Sequence, residues 1–232
     1  MFDKKRLFII LLLILASQAC ALDSQCFGDT ADGYLVDGVQ LPVNGKNFVS
    51  YHSIGVLLGR TYLHSQAVEI IIDAYDRLAI SAPDSIYKYA ETGFASGGLF
   101  KPHKTHQNGL SIDFMVPVKN KKGLSVHFPT TVFNKFGYDV DFNNLGDFKS
   151  YHIDFKAMAA HIKALDISAK QKGYGIRRVI FDPKLQAKLF DTADGDYLVK
   201  NIVFLKKRSW VRHDEHYHVD FIIPCLAQKD VE

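Results

Sequence analysis

Two short polar clusters, far apart in the chain, constrain the fold more than any other feature. They are His103, His106 and Asp113 in one window and His213, His216 and His218 in another. Five of the ten histidines fall in these two windows. Neutral imidazoles with one carboxylate are the donor set of a zinc ion that keeps one coordination position for water or substrate. If the set works as a unit, the fold must carry both windows to one point. A lone histidine in an apolar strand is usually a hydrogen-bonded core residue, and His-x-His alone is weak evidence of a metal. His-x-x-His with an Asp seven residues on, followed much later by His-x-x-His-x-His, is more specific. His52, His64, His127, His152 and His161 have no such company and read as structural or surface residues.

The chain begins with Lys4-Lys5-Arg6, continues through the apolar run 7–15 and reaches Ala19-Cys20-Ala21. This order of basic, apolar and small residues reads as a signal peptide over residues 1–21, removed after Ala21. The run is much shorter than the roughly 20 residues that span a bilayer, so no stable membrane insertion is expected after processing. Ser17, where a lipoprotein signal would place Leu before Cys20, argues against a lipid anchor. Processing removes three of the 28 Lys and Arg and one of the 25 Asp and Glu, leaving 22–232 nearly neutral at 25 against 24. That balance argues against a nucleic-acid protein, whose footprint is strongly basic. With no Pro/Gly/Ser-rich linker and no repeat, 22–232 reads as a single domain. Only Cys26 and Cys225 survive processing, and an exported chain can join them, the alternative being two free thiols.

Apolar residues Val68, Ile71, Ile72, Tyr75, Leu78 and Ala79 recur at helical spacing over 65–81, ahead of Pro83. A second helix is predicted over 155–172, with Phe155, Ala159, Ile162 and Leu165 on one stripe and Gly173 as its stop. Pro183 opens a short helix through Phe190. Strand character appears over 85–90, 110–116, 176–181 and 216–221. The segment 117–153, rich in Asn, Asp, Gly and Lys, reads as long loops with a short hairpin. Helices and strands without regular alternation predict an α+β fold with a mainly antiparallel central sheet and flanking helices.

Strand geometry explains how the windows could converge. His216 and His218 are two residues apart and leave a strand from one face, with Tyr217 and Val219 on the other. Leu110, Ile112, Phe114 and Val116 alternate with Asp113 in the same way. Asn108-Gly109 lets the chain turn so that His106 comes beside Asp113. If the two strands are neighbours, His106, Asp113 and His218 meet. They would hold a zinc ion able to lower the pKa of its water to about 7 and to polarise a carbonyl. His216 is then placed as general base or oxyanion stabiliser. Strand alternation sends Glu215, the rival base, to the opposite face. His103 and His213 could orient ligands or touch substrate.

Three stretches carry a family resemblance: Gly97-Gly98-Leu-Phe-Lys-Pro-His103-Lys-Thr-His106-Gln-Asn-Gly109-Leu-Ser-Ile-Asp113, then Ile176-Arg-Arg-Val-Ile-Phe-Asp-Pro183, then His213-Asp-Glu-His216-Tyr-His218-Val. In them the chain resembles the LAS metallopeptidases, the lysostaphin, D-Ala-D-Ala peptidase and hedgehog group, and most closely the penicillin-insensitive murein endopeptidases. The resemblance implies a LAS-type fold and one catalytic Zn2+ on His106, Asp113 and His218. His103 counts among the metal-site residues, and His216 with His213 form the catalytic pair. It also implies a peptidoglycan substrate, with D-amino-acid cross-links cut in the periplasm. A second ion would have Asp147 and His152 as its nearest candidates. The chain departs from the family in Lys101-Pro102, where a Gly-rich approach is usual, and in its low cysteine count. Rival readings are a murein carboxypeptidase or amidase on the same site, or a non-catalytic peptidoglycan- or envelope-binding protein. Oligomeric state is not readable from these residues.

Overall fold

The computed structural model describes residues 23–207, 209 and 211–228, so the expected signal peptide lies outside the described residues. In chain order the elements are β1 (Gln25–Gly28), β2 (Gly33–Val36), β3 (Val39–Gln40), β4 (Phe48–Ser50), α1 (Ser53–Leu57), β5 (Tyr62–Leu63), α2 (Ser65–Ser81), β6 (Tyr87–Tyr89), β7 (Ser111–Met115), β8 (Val118–Lys119), β9 (Ser125–Val126), a 3-10 turn (Val132–Gly137), β10 (Asp147–Phe148), β11 (Tyr151–Ile153), α3 (Phe155–Gln171), β12 (Gly175–Ile180), α4 (Pro183–Phe190), α5 (Gly195–Asn201) and β13 (His216–Ile222). The fold is mixed α+β. No helix among the described residues is long and apolar enough to cross a membrane.

The central sheet has the order β12-β13-β7-β6-β4; β4 pairs with β6 in parallel and the other pairs are antiparallel. The two strands inferred from alternation are therefore neighbours, with Asp113 directly opposite His218 and Met115 opposite His216. Ile112, Phe114, Tyr217 and Val219 are fully or almost fully buried, in a core shared with α2 and α3. Asp154 caps α3 by accepting from the Ala157 N–H at 3.1 Å. Gly173, at φ 80°, follows its last turn as the sequence predicts.

The structure departs from the periodicity in three places. The buried stripe of α2 is Ala67, Ile70, Ile71, Ala74, Tyr75 and Leu78, turned by about one residue from the predicted stripe. Val68 and Ile72 flank it, because an apolar stripe broader than the contact face leaves its edge residues half-buried. Segment 117–153 is not simply loops with one hairpin: β8, β9, β10 and β11 form a four-stranded sheet. Strands of two or three residues are too short to show alternation. The hairpin β1–β2 and strand β4, which completes the central sheet, also left no such signal.

The N-terminal hairpin and the start of α2 brace the first histidine window. The Gln107 N–H donates to Thr30 O at 3.1 Å and the His64 N–H to Gly109 O at 3.0 Å. Gly109 sits at φ +77°, and a Cβ there would lie 2.7 Å from the His64 nitrogen, so this turn requires glycine. Cys26 and Cys225 form a disulfide, and the Asn108 amide contacts the Cys225 sulfur at 3.6 Å.

Candidate metal centre

Asp113 is the hub of the site. Its Oδ1 faces His218 Nδ1 at 2.8 Å and His106 Nε2 at 3.4 Å. Its Oδ2 accepts from the Tyr138 hydroxyl at 3.0 Å and faces His103 Nδ1 at 3.7 Å and His216 Nε2 at 3.8 Å. His103, His106 and Asp113 each offer one donor atom, all within 4.8 Å of one another. His218 stands outside that trio but meets Asp113 Oδ1, and its ring lies 4.8 Å from that of His106. Burial opposes the Asp113 charge, but His106 and His216 beside it hold the carboxyl well below the usual range.

Each imidazole is oriented by its other nitrogen. His106, fully buried at φ 72°, directs Nδ1 to Thr92 O at 2.8 Å. That contact makes Nδ1 the protonated nitrogen, and burial, the largest influence, keeps the ring neutral. Nε2 is then a bare lone pair. It is buried without a hydrogen-bond partner, facing a carboxylate oxygen. His218 Nε2 meets Asp220 Oδ1 at 2.8 Å, and Asp220 also accepts from Ser111 Oγ and Arg178 Nε, each at 2.6 Å. Although burial opposes it, the Asp220 and Asp113 charges push the His218 imidazole up to about 10. His103 Nε2 meets Glu91 Oε2 at 2.6 Å, and Glu91 is held by the Tyr51 hydroxyl at 3.1 Å and by Arg60. Carboxylate or carbonyl partners on the outer nitrogens are the usual support of metal-binding histidines.

These residues fit a divalent cation. A neutral imidazole nitrogen facing a carboxylate without a shared proton is an unfavourable pair in a buried site, and a cation between them removes the mismatch. His218 likewise lies between two carboxylates, a field that attracts positive charge. The donor set of imidazoles and one carboxylate is that of zinc.

His216 and His213 line the same cavity of about 830 Å³, together with Glu91, Tyr138, Glu215 and Arg178. The His216 and His213 rings are 4.6 Å apart. Burial lowers both, His216 to about 4 and His213 to about 3, so each is a neutral base at pH 7. Strand alternation had sent Glu215 to the far face. Instead Glu215 Oε1 lies 2.9 Å from His216 Nδ1, because β13 begins at His216 and alternation does not govern the residue before it. Burial raises the Glu215 carboxyl to about 8.

Tyr138, Glu91 and Thr92 were missed by sequence reasoning; each lies outside a histidine window and contributes through a turn or a strand end. Asp147 and His152, the candidates for a second ion, pair with each other at 2.7 Å on the exposed β10–β11 hairpin. No third ligand-bearing side chain joins them among the described residues. Of the histidines read as structural or surface residues, His52 and His64 cap α1 and α2, His161 is a core residue and His152 is exposed.

No curated protein matches the chain. The sequence model of a family described as penicillin-insensitive murein endopeptidase matches residues 26–230. That span takes in both histidine windows, the strands that join them and the disulfide, and by it the chain belongs to the penicillin-insensitive murein endopeptidase family.

Proposed function

We propose that this protein is a zinc-dependent endopeptidase that hydrolyses D-amino-acid peptide cross-links of peptidoglycan in the periplasm, on a LAS-type fold. The observation that carries the reading is the convergence of His106 Nε2 and His218 Nδ1 on one oxygen of Asp113, with the His106 nitrogen otherwise unpartnered. His106, Asp113 and His218 would hold the ion, and His103, braced by Glu91, stands beside them. Bound there, zinc would polarise the scissile carbonyl and acidify water.

The chain's own groups supply the rest. His216 directs Nδ1 to Glu215, leaving Nε2 toward the site as a neutral base able to take a proton from water and return it to the leaving amine. His213 donates Nδ1–H to Val211 O at 3.1 Å, so its Nε2 is an acceptor on the cavity wall, able to receive a hydrogen bond from water or from a substrate N–H. No serine nucleophile is required, so β-lactams have no group to acylate.

The mature, zinc-loaded chain should convert cross-linked muropeptide dimers in sacculi to monomers without loss of a terminal residue. Chelation with EDTA should abolish this and zinc restore it. His216→Ala should lower the rate about 10²- to 10⁴-fold while one zinc stays bound. Full activity after His218→Ala, or release of single terminal residues in place of monomers, would sink the reading.

A further inference from the structure

One wall of the cavity carries a guanidinium that the hydrolytic centre does not consume. Arg178 on β12 lies across from Asp220 of β13, and Ile180 lies across from His218. Arg178 Nε donates to Asp220 Oδ2 at 2.6 Å, and Asp220 is fully buried. Among the described residues its two Nη atoms make no hydrogen bond, and the side chain, 34% exposed, lines the cavity with His213 and His218. Arg212, on the same cavity, is already committed. Its Nη1 meets Asp141 at 2.6 Å, its Nη2 meets Val140 O at 3.2 Å and its Nε faces Asp214 at 3.3 Å. Lys135 is 3.5 Å from Asp139.

An arginine fixed through Nε keeps a rigid pair of N–H donors, a fork that matches a carboxylate better than a lysine does. Two residues along a strand is about 7 Å, so that fork lies within one or two residues of a peptide whose amide sits at His218. Resting on the reading above as a murein peptidase, we propose that Arg178 recognises a free carboxylate of the stem peptide within about two residues of the bond that is cut. The preferred substrate class is thus an acidic cross-linked peptide, and amidation of that carboxylate removes the contact.

The test uses two cross-linked stem peptides that differ only there, one with the free carboxylate and one with a carboxamide. The zinc-loaded wild type should prefer the carboxylate by about 10- to 100-fold in kcat/KM, the range of a charge-assisted hydrogen bond. Arg178→Gln should bring that ratio close to one, and Arg178→Lys should keep part of it. Arg178 also braces Asp220 behind His218. If Arg178→Gln slows both peptides by one factor and leaves the ratio intact, the residue only positions the ligand and the proposal is overturned. Absence of any preference in the wild type overturns it too. If neither peptide is cut, the peptidase reading itself fails. Fluorescence anisotropy of both labelled peptides on the His216→Ala protein then decides separately: tighter binding of the carboxylate form, lost with Arg178→Gln, supports the contact, and equal binding refutes it.

Discussion

At the scale of single residues, the centre rests on which nitrogen of each ring is spent. Thr92 O fixes His106, Asp220 fixes His218, Glu91 fixes His103 and Glu215 fixes His216. The histidines themselves were legible in the sequence, because imidazoles are scarce and their spacing matched strand geometry. Their supporting partners were not legible, since a carbonyl, a serine or a tyrosine in a distant loop has nothing to mark it. Tyr138 is the clearest case. Its hydroxyl donates to the Asp113 oxygen not shared by His106 and His218, and so holds the carboxylate in place. Tyr138→Phe should weaken zinc binding about 10-fold or more, as loss of such outer partners usually does, with the helical and strand content unchanged. Competition against a fluorescent chelator measures it; an unaltered zinc affinity would remove Tyr138 from the account.

At the scale of elements, long patterned segments were read well and short ones were not. The bounds of α2 and α4 match the expectation, and β7 and β13 lie where alternation put them, because many buried side chains vote on each. Strands of two residues and the parallel partner β4 depend on tertiary pairing, which a single sequence does not display. The joint between α3 and the sheet hides a chemical peculiarity as well. His161 of α3 is fully buried among Tyr75, Tyr87, Phe114 and Tyr217, with Nδ1 bonded to the Tyr217 hydroxyl. Burial lowers its imidazole to about 3. The unfolded chain takes up this proton near pH 6.5 and the folded chain only near pH 3, so stability is complete above 6.5 and declines as pH falls between the two. The slope from this group approaches about 1.4 kcal/mol per pH unit. Urea unfolding of His161→Phe between pH 7 and pH 4 should show a shallower decline than the wild type, other groups cancelling in the comparison. Parallel curves would show that His161 is not a neutral core residue.

At the scale of the whole molecule, the near-neutral charge and the two cysteines of residues 22–232 set expectations that the sequence could carry only so far. The expectation of export suggested the Cys26–Cys225 bond, but its placement under the Asn108-Gly109 turn depends on tertiary packing. A closed loop with a sequence separation of 199 residues is worth about 5 kcal/mol in the chain-entropy model. The double variant Cys26→Ser with Cys225→Ser should lower the urea midpoint by a corresponding amount. It should also reduce zinc affinity, because the turn leading from His106 to β7 loses its brace. A midpoint unchanged between oxidised and reduced protein would show that the bond stabilises nothing.

The order in which a ribosome makes this chain follows from the position of β13. His106 and Asp113 are made about 100 residues before His216, His218 and Cys225. A nascent or prematurely ended product that stops before residue 216 lacks one of the two strands that pair with β7, one of the proposed zinc donors, and half of the cross-link. On the proposed function, such a fragment would hold an incomplete metal site and would not cut peptidoglycan.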